Sequence, residues 1–380
     1  MATNRSQIHR VAIALLALAV PAPGWSASGA DLGWWAINRA VVEGHIVPRY
    51  QLLAQSTQAL DAQLQRLCGG PTEVVLGMVR SRFVSAIDAW NGISHVRFGP
   101  VETDQRWYRF QFWPDKRGTG QRQLRQLLAD QDKSVLEPRA LARQSVAVQG
   151  LSALEMLLFP ADEVEVMDFG TADSPSYRCL LAAAIGRNIA EMADAVQSDW
   201  TQVDRPYRDL LLDPQRAGRP SGDPAGPQFA DSRSVSGELL RSLNTAAQVI
   251  LDLKLAEPLG PSLEAANPRK AESWRSRRSL ANVCTNLDAM EHLYDTGFAL
   301  LLRESEESAQ MDRDLTRDLT EAVSTCLRMP PTVLDDRPSP EQRQALEGLR
   351  RLAASVRTRT GAPLADELHL SLGFNSLDGD

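Results

Sequence analysis

Glu155 is the residue whose position in this sequence most clearly suggests chemistry. It lies in the leucine-rich segment 151–158, and Pro160 closes that segment because proline cannot continue a helix. The leucines recur at three- and four-residue spacing, which predicts that Glu155 lies on a helix with little polar cover. An unpaired buried carboxylate is costly, so this side chain requires a cation, a metal ion, hydrogen-bond donors or a raised pKa.

Ser152 in the same segment, and Arg275 and Ser276 much later in the sequence, are predicted to act together with Glu155. Ser152, three residues earlier on the same side of the helix, is the nearest local donor. Arg275 is a candidate counter-charge, because a guanidinium can bind a carboxylate through two hydrogen bonds, and Ser276 follows it. Two plainer alternatives stay open: Glu155 caps a helix or pairs between packed helices, and Arg275 is a solvated surface side chain.

Further candidate ligands lie near the two ends of the chain. His45 precedes a predicted proline kink, where it is either a ligand or a histidine bonded to a carbonyl that the kink leaves free. The final residues include Asn375, Asp378 and Asp380, whose oxygens suit a hard cation, although an acidic chain end is also typical of a solvated turn. For a metal ion, Glu155 and His45 are the best candidate ligands.

The composition argues against a nucleic-acid-binding protein and allows a large folded core. The chain has 380 residues, of which 43% are hydrophobic, so it can bury enough apolar surface for about two domains. Its formal charge is −7 and its pI is about 5.4, and no basic block or basic–aromatic stripe offsets that balance. The expected partners are therefore a small molecule, a metal ion or a peptide.

The first 30 residues have the layout of a secretory signal peptide. Arg5 and Arg10 precede a short apolar run at 11–20, which is followed by prolines and small residues. That run is too short to span a bilayer, so we expect residues 1–30 to be removed on export and the mature chain to have no transmembrane span. No cysteine precedes Cys68, so we predict a soluble periplasmic or cell-envelope protein without a lipid anchor.

The four cysteines are an even set, which is typical of disulfide bonding in an exported chain. They allow three pairings, and the sequence does not choose among them. We predict Cys68 with Cys179 and Cys284 with Cys326, because a disulfide inside one domain is compatible with independent folding of the domains. A cysteine–histidine metal site is not expected, since there is no Cys-x-x-Cys and the five histidines are scattered.

Apolar residues recur at helical spacing through most of the chain, which predicts an all-α fold. A kink is expected at Pro48 in the first helix, and the aromatic stretch 106–115 is expected to be a short strand or an extended loop. The predicted helices cover residues 34–67, 73–95, 121–131, 138–159, 176–200, 235–256, 268–306, 310–327 and 340–359.

A stretch rich in proline and glycine divides these helices into two sets. Because such a composition cannot hold a regular element, we place a linker at residues 214–236. Residues 31–213 and 237–380 each suggest a helical bundle with about four main helices.

Several motifs resemble the imelysin family, whose members are also called M75 peptidase-like proteins. The stretch Gly150–Glu155 resembles the family's Gly-x-His-x-x-Glu helix, with Ser152 at the position of the histidine. A serine hydroxyl is a poor ligand for zinc or iron, so this substitution argues against the family's His-x-x-Glu metal site. The ending Gly-Phe-Asn-x-x-Asp-Gly-Asp and three other family segments are matched at 373–380, 98–100, 112–115 and 274–276.

The resemblance implies an all-α protein of two helical bundles with a site at their interface, exported to the cell envelope and linked to iron uptake. One function it implies is a non-enzymatic binding or accessory protein with an interdomain pocket, acting beside envelope iron-uptake proteins. The alternative is an M75-type metallopeptidase with iron or zinc, which needs three protein ligands and an activated water. We favour the first, because Ser152 replaces the most plausible helix ligand and the chain has no His-Glu-x-x-His.

Overall fold

The helices of the structure largely follow the apolar periodicity of the sequence. The computed structural model describes residues 29–160, 165–202, 204, 206–214, 229–304 and 306–372. That part of the chain contains no β-strand, which confirms the all-α prediction. Its α-helices are α1 Gly29–Val41, α2 Val47–Gly69, α3 Glu73–Asn91, α4 Arg106–Phe110, α5 Thr119–Asp130, α6 Leu151–Leu158, α7 Tyr177–Thr201, α8 Tyr207–Leu212, α9 Ser232–Gln248, α10 Glu257–Leu259, α11 Ser279–Thr296, α12 Phe298–Leu302, α13 Ala309–Arg328, α14 Pro340–Thr360 and α15 Ala362–Glu367.

The first long helix runs without a break through α1 and α2 but contains one wider turn. Val42–Ile46 form a π-turn, in which the N–H of Val47 donates to the carbonyl of Val42. Pro48, the second residue of α2, has no N–H to donate, and the wider turn just before it leaves room for the proline ring.

The helices pack in two groups. In the first group, α2 lies along α3 and α7, and α6 packs on α7. In the second group, α13 packs between α11 and α14, and α9 packs on α14. Because α1 packs mainly on α9, the N-terminal helix links the two groups. The predicted division into domains at 214–236 stays a prediction.

The helix predicted over 138–159 is wrong in its first half. The chain there forms short 3₁₀ turns at Leu141–Arg143 and Val146–Val148, and only α6 is α-helical. Gly150, just before α6, is extended, with φ −118° and ψ −164°. The backbone of α4 approaches this glycine closely and prevents a continuous helix.

Two aromatic or basic stretches also differ from their predictions. Within 106–115, the first five residues form α4 rather than a strand, and the helix lets Trp107 and Phe110 pack on Trp90. The helix predicted over 268–306 is interrupted before α11, because Ser273 and Arg277 adopt φ values of 53° and 57°, which an α-helix does not permit.

Two predicted helix ends also shift. The helix predicted over 73–95 ends at Asn91. The helix predicted over 235–256 begins as α9 and continues as a π-helix at Val249–Ala256.

Two disulfides brace the two groups separately. Cys68 at the end of α2 is bonded to Cys179 in α7, and Cys284 in α11 is bonded to Cys326 in α13. These are the two pairs that we expect from the sequence. Residues 1–28 of the predicted 1–30 signal peptide, most of the 214–236 linker and the acidic tail lie outside the described residues, and the last two residues of that predicted peptide begin α1. Within the described ranges, no helix is long and apolar enough to cross a membrane.

Replacing both cysteines of a pair by serine tests how each disulfide stabilises the fold. The Cys68–Cys179 bond spans 111 residues and the Cys284–Cys326 bond spans 42. Loop-closure entropy therefore predicts that Cys68→Ser/Cys179→Ser lowers the free energy of unfolding by about 1 kcal/mol more than Cys284→Ser/Cys326→Ser, within a total loss of about 2–5 kcal/mol each. Urea denaturation of both variants measures this, and equal or reversed losses contradict it.

Candidate functional site: a pocket beside Glu155

Gly150 determines where α6 begins and thereby where Glu155 lies. A Cβ at this position would collide with the carbonyl oxygens of Arg109 and Phe110, so only glycine fits. Arg109 Nε donates to the side-chain oxygen of Gln149 over 2.7 Å, and Asn188 Nδ2 donates to the carbonyl of Gln149 over 3.1 Å. The start of α6 is therefore held by both α4 and α7.

The carboxylate of Glu155 is buried, and its hydrogen-bond donors come from the second half of the chain. Ser276 donates twice to Oε1, from its backbone N–H over 2.8 Å and from its hydroxyl over 2.6 Å. Arg275 also acts on the carboxylate electrostatically. The structure thus brings together three residues that the sequence analysis singled out at widely separated positions.

Burial changes the acidity of this carboxyl group. It raises the pKa of Glu155 to about 7, and the two bonds from Ser276 and the positive charge of Arg275 oppose that rise only in part. A carboxyl group with such a pKa is partly protonated near neutral pH, so it can donate as well as accept a hydrogen bond.

Ser152 and Glu155 line a cavity of 620 Å³. The cavity lies between the segment 111–121, the start of α6 and the segment 253–275. Its size suits a small organic molecule. The other side chains that carry its chemistry are the aromatic residues Phe112, Trp113 and Trp274, the basic residues Lys116, Arg269, Lys270 and Arg275, and the acidic residues Asp115 and Glu257.

A buried ion pair holds the loop that carries Ser276. Lys254, in the π-helix Val249–Ala256, donates to Glu272 over 2.7 Å. It also donates to the side-chain oxygens of Asn91 and Asn286, over 2.8 and 2.6 Å. All four side chains are buried. Glu272 is four residues before Ser276, so this network fixes the loop just before the residue that bonds Glu155.

His45 lies in another part of the structure. It belongs to the π-turn Val42–Ile46, where its ring nitrogens each lie 2.9 Å from a ring nitrogen of His95 or His292. The Glu155 cavity is lined by other residues. His45 and Glu155, the two candidate metal ligands, are therefore placed in different clusters.

Asn375, Asp378 and Asp380 lie outside the described residues. The last described residues are held on α9, where Arg241 Nε donates to the carbonyl of Leu372 over 2.6 Å. A role of the three tail residues in ligand binding stays a prediction.

The donor set beside Glu155 does not suit a transition metal. Zinc and iron are usually held by several histidine, cysteine or carboxylate ligands, whereas the part of α6 that faces the cavity offers one hydroxyl and one carboxyl group. Throughout the ranges that the structure covers, no group of three or more histidine, cysteine, aspartate or glutamate side chains is arranged to hold a metal ion.

The structure is that of an all-α protein with a ligand-sized cavity beside a buried glutamate on a helix. The family model described as imelysin, of the M75 peptidases, matches residues 46–358. The chain therefore belongs to the imelysin family.

One relative is similar to this chain in sequence, and two solved structures are similar to it in fold. Iron-regulated protein A of Synechococcus elongatus is 28% identical over 258 residues, which are 67% of this chain and 62% of that protein. The match thus spans less than two thirds of that relative. The solved structure of an imelysin-like protein from Psychrobacter arcticus has a TM-score of 0.71 at 17% identity, covering 90% of this chain and 98% of its own. A candidate iron-regulated protein A precursor from Parabacteroides distasonis gives 0.71 at 11%, covering 90% and 96%.

The sequence pattern does not reveal the full lining of the cavity. It predicts only a short strand or an extended loop at 106–115, whereas Phe112 and Trp113 line the cavity. The aspartate that follows them could have indicated that this stretch turns into a helix. Asp115 starts α5 by accepting the N–H groups of Thr119 and Gly120, each over 2.8 Å. Arg269 and Lys270 carry no distinguishing pattern of their own.

Gly150→Ala tests the close approach at the start of α6. The added Cβ meets backbone oxygens, which cannot turn aside, so we expect the free energy of unfolding to fall by about 1–3 kcal/mol. Gly77→Ala is the matched control: a Cβ there meets nothing within 4 Å, so the same substitution should raise stability by roughly 0.5–1 kcal/mol. Urea denaturation measures both variants. A Gly150→Ala protein whose free energy of unfolding is not reduced contradicts the prediction.

Glu155→Gln tests the raised pKa. Because the pKa of Glu155 in the folded protein is about 7 and its ordinary value is 4.5, the folded state binds more protons between these values. The stability that this group contributes is present below pH 4.5 and is lost as the pH rises through 7. We expect a loss of about 3 kcal/mol over that window, absent in Glu155→Gln, whose amide oxygen still accepts from Ser276.

Urea denaturation at several pH values measures this difference between the two proteins. Glu155→Ala, which removes the acceptor of both Ser276 bonds, should be less stable than Glu155→Gln at every pH. Parallel pH profiles for the unmodified protein and Glu155→Gln would show that the carboxyl group titrates normally.

Proposed function

We propose that this chain is an exported, iron-linked binding protein without enzymatic activity, and that the cavity beside Glu155 holds an anionic organic ligand. The iron link rests on the family and on the name of the Synechococcus relative, iron-regulated protein A. Export rests on the predicted signal peptide. The observation that carries the ligand class is the excess of unpaired positive charge in the cavity.

The acidic side chains of the cavity are already engaged. Both carboxylate oxygens of Asp115 accept backbone N–H groups, and Glu257 pairs with Lys270 over 3.0 Å. Oε1 of Glu155 accepts from Ser276. An incoming ligand therefore meets acidic groups whose charge is largely offset by the protein itself.

Several basic side chains of the cavity have no such carboxylate partner in the described structure. Arg275 stacks on the ring of Trp274, with its guanidinium carbon 4.2 Å from the ring centre. Its Nε is shielded from solvent and has no hydrogen-bond partner among the described residues. Arg269 lies over the same ring, at 5.6 Å, and Lys116 also lines the cavity. Arg269 and Lys116 are exposed, so Arg275 carries the partly desolvated positive charge that a carboxylate or similar oxyanion would offset.

The aromatic residues that line the cavity narrow the class of ligand further. Phe112, Trp113 and Trp274 give the cavity apolar surface beside its charges. Ligand sites commonly combine an apolar wall with a few polar groups that fix orientation. An anionic iron chelate has both features, because its outer surface joins carboxylate oxygens to a carbon framework.

The alternative is an M75-type metallopeptidase. The raised pKa of Glu155 favours it, since a carboxyl group that titrates near neutral pH can act as a general base. The serine at position 152 counts against it, because a catalytic metal usually needs three protein ligands.

Binding of ferric citrate, measured by calorimetry on the mature protein beside iron-free citrate, tests the proposal. Arg275→Met keeps much of the volume over Trp274 but removes the charge, so we expect the dissociation constant to rise about 10–100-fold. Arg277→Met is the matched control, because Arg277 is exposed and pairs with Asp336. The affinity of the Arg277→Met protein for ferric citrate should remain unchanged.

Metal content and peptide hydrolysis, assayed on the same protein and on Glu155→Ala, separate the two functions. Stoichiometric zinc or iron that is lost in Glu155→Ala, together with peptide cleavage, would replace the binding proposal by the peptidase. Absence of any effect of Arg275→Met on citrate or chelate binding would overturn the assignment of an anionic ligand to this cavity.

A further inference from the structure

A strongly basic segment begins at the edge of the cavity and continues along α5. Residues 116–129 contain no aspartate or glutamate, in a chain whose net charge is −7. Lys116 and Arg117 lie in the turn before α5, and Arg122 and Arg125 lie on the helix itself. All four side chains are exposed, and we call them the basic face.

The basic face is turned toward solvent because another side of α5 is packed on the protein. Leu124 is buried, and Leu128, one turn later, packs against the core. Successive residues are about 100° apart around a helix, so Arg122 and Arg125 lie away from this leucine side. Arg122 Nη1 also donates to the carbonyl of Arg117 over 3.2 Å. The turn and the helix therefore form one continuous surface.

The protein itself does not offset the charges of the basic face. In the part of the chain that the structure describes, none of its four side chains forms an ion pair with a carboxylate. The nearest acidic residues along the chain are engaged: Asp115 accepts two backbone N–H groups, and Asp130 accepts from a glutamine of α5 over 2.7 Å. On α13 and α14, by comparison, Arg317 and Arg359 both pair with Asp318.

Four clustered cations without carboxylate partners favour an acidic partner. Complementary charge accelerates association with such a partner and disfavours a basic one. Three of the four cations are arginine, a residue that is enriched at protein interfaces and can bind a carboxylate through two hydrogen bonds. Clustered aspartate and glutamate side chains on another protein therefore suit this surface.

An anionic membrane suits the same surface less well. Helices that lie on a membrane bury an apolar face in the lipid while their basic residues contact the head groups. The apolar side of α5 is already packed on the protein. The large hydrophobic side chains that are exposed in the described structure lie in other segments, the nearest along the chain being Tyr108. The basic face thus has charge but no apolar residues to enter a bilayer.

We propose that the basic face is the docking surface for an acidic protein partner. Lys116 belongs both to the basic face and to the lining of the cavity, so the docked partner lies beside the mouth of the cavity. The surface is formed by exposed residues of the protein itself and is present whichever ligand the cavity holds.

Calorimetry with a synthetic peptide that alternates glutamate with alanine tests the docking surface. We expect this peptide to bind at low ionic strength and to weaken as salt is added, whereas the same peptide with glutamine for glutamate does not bind. In Arg122→Gln/Arg125→Gln the dissociation constant should rise about 3–10-fold, because two exposed ion pairs are lost.

The matched control removes two other exposed arginines. Arg313 and Arg328 of α13 bond to the uncharged side chains of Gln310 and Thr325. Arg313→Gln/Arg328→Gln therefore changes the net charge by the same amount at a distant surface. Its affinity for the acidic peptide should equal that of the unmodified protein.

Carbodiimide cross-linking locates the bound peptide, because it joins a carboxylate to an adjacent lysine. The sequence has four lysines, Lys116, Lys133, Lys254 and Lys270, and we expect the link at Lys116. No binding of the acidic peptide at low ionic strength, equal losses in the two double variants, or links confined to other lysines would overturn the proposal. Binding of phosphatidylglycerol vesicles, but not of the peptide, through the same arginines would assign the surface to a membrane instead.

Discussion

The need of the buried Glu155 carboxylate for a partner is the constraint on which the site depends. Its own helix is lined with leucine, so the donors come from Ser276, 121 residues later. Hydrogen bonds to a charged group contribute roughly 1.5–3 kcal/mol each, and a buried charge that loses its partner costs more than that. The loop 271–278 must therefore lie over α6. The buried pair of Lys254 and Glu272 also holds this loop. The two halves of the chain therefore meet through polar groups that satisfy one another.

The local charge of the cavity beside Glu155 depends on which of its acidic side chains are already bonded to other parts of the protein. Over the whole sequence the net charge is −7, which by itself suggests a preference for cationic partners. Locally the opposite holds. Asp115 is engaged in starting a helix and Glu257 in an ion pair, while Arg275 remains stacked on Trp274 without a carboxylate bonded to it. The ligand that such a cavity can bind depends on which of its charged side chains have no partner. The net charge of the whole sequence does not show this.

Helical periodicity and the cost of burying a lone carboxylate are the two properties by which the sequence predicts much of this structure. Helical spacing locates most helices, and the isolated carboxylate at Glu155 points to partners that the structure supplies in Arg275 and Ser276. Neither property locates a feature that depends on the approach of distant backbones. The extended Gly150 that divides the predicted helix 138–159 is one example, because its cause lies in the carbonyls of α4. The alignment of three histidines from distant segments is another.

The π-turn at Val42–Ile46 changes the phase of the helix that contains it. One extra residue in a turn shifts all later side chains by about 100° around the helix axis. The apolar stripe of α1 therefore faces α9, while the stripe of α2, on the same continuous rod, faces α3 and α7. In a regular helix of this sequence the two stripes would lie at a different angle to each other, so only one of them could face its present neighbours. The irregular turn thus lets the two ends of one continuous helix pack in different helical groups, each with its apolar side toward its own neighbours.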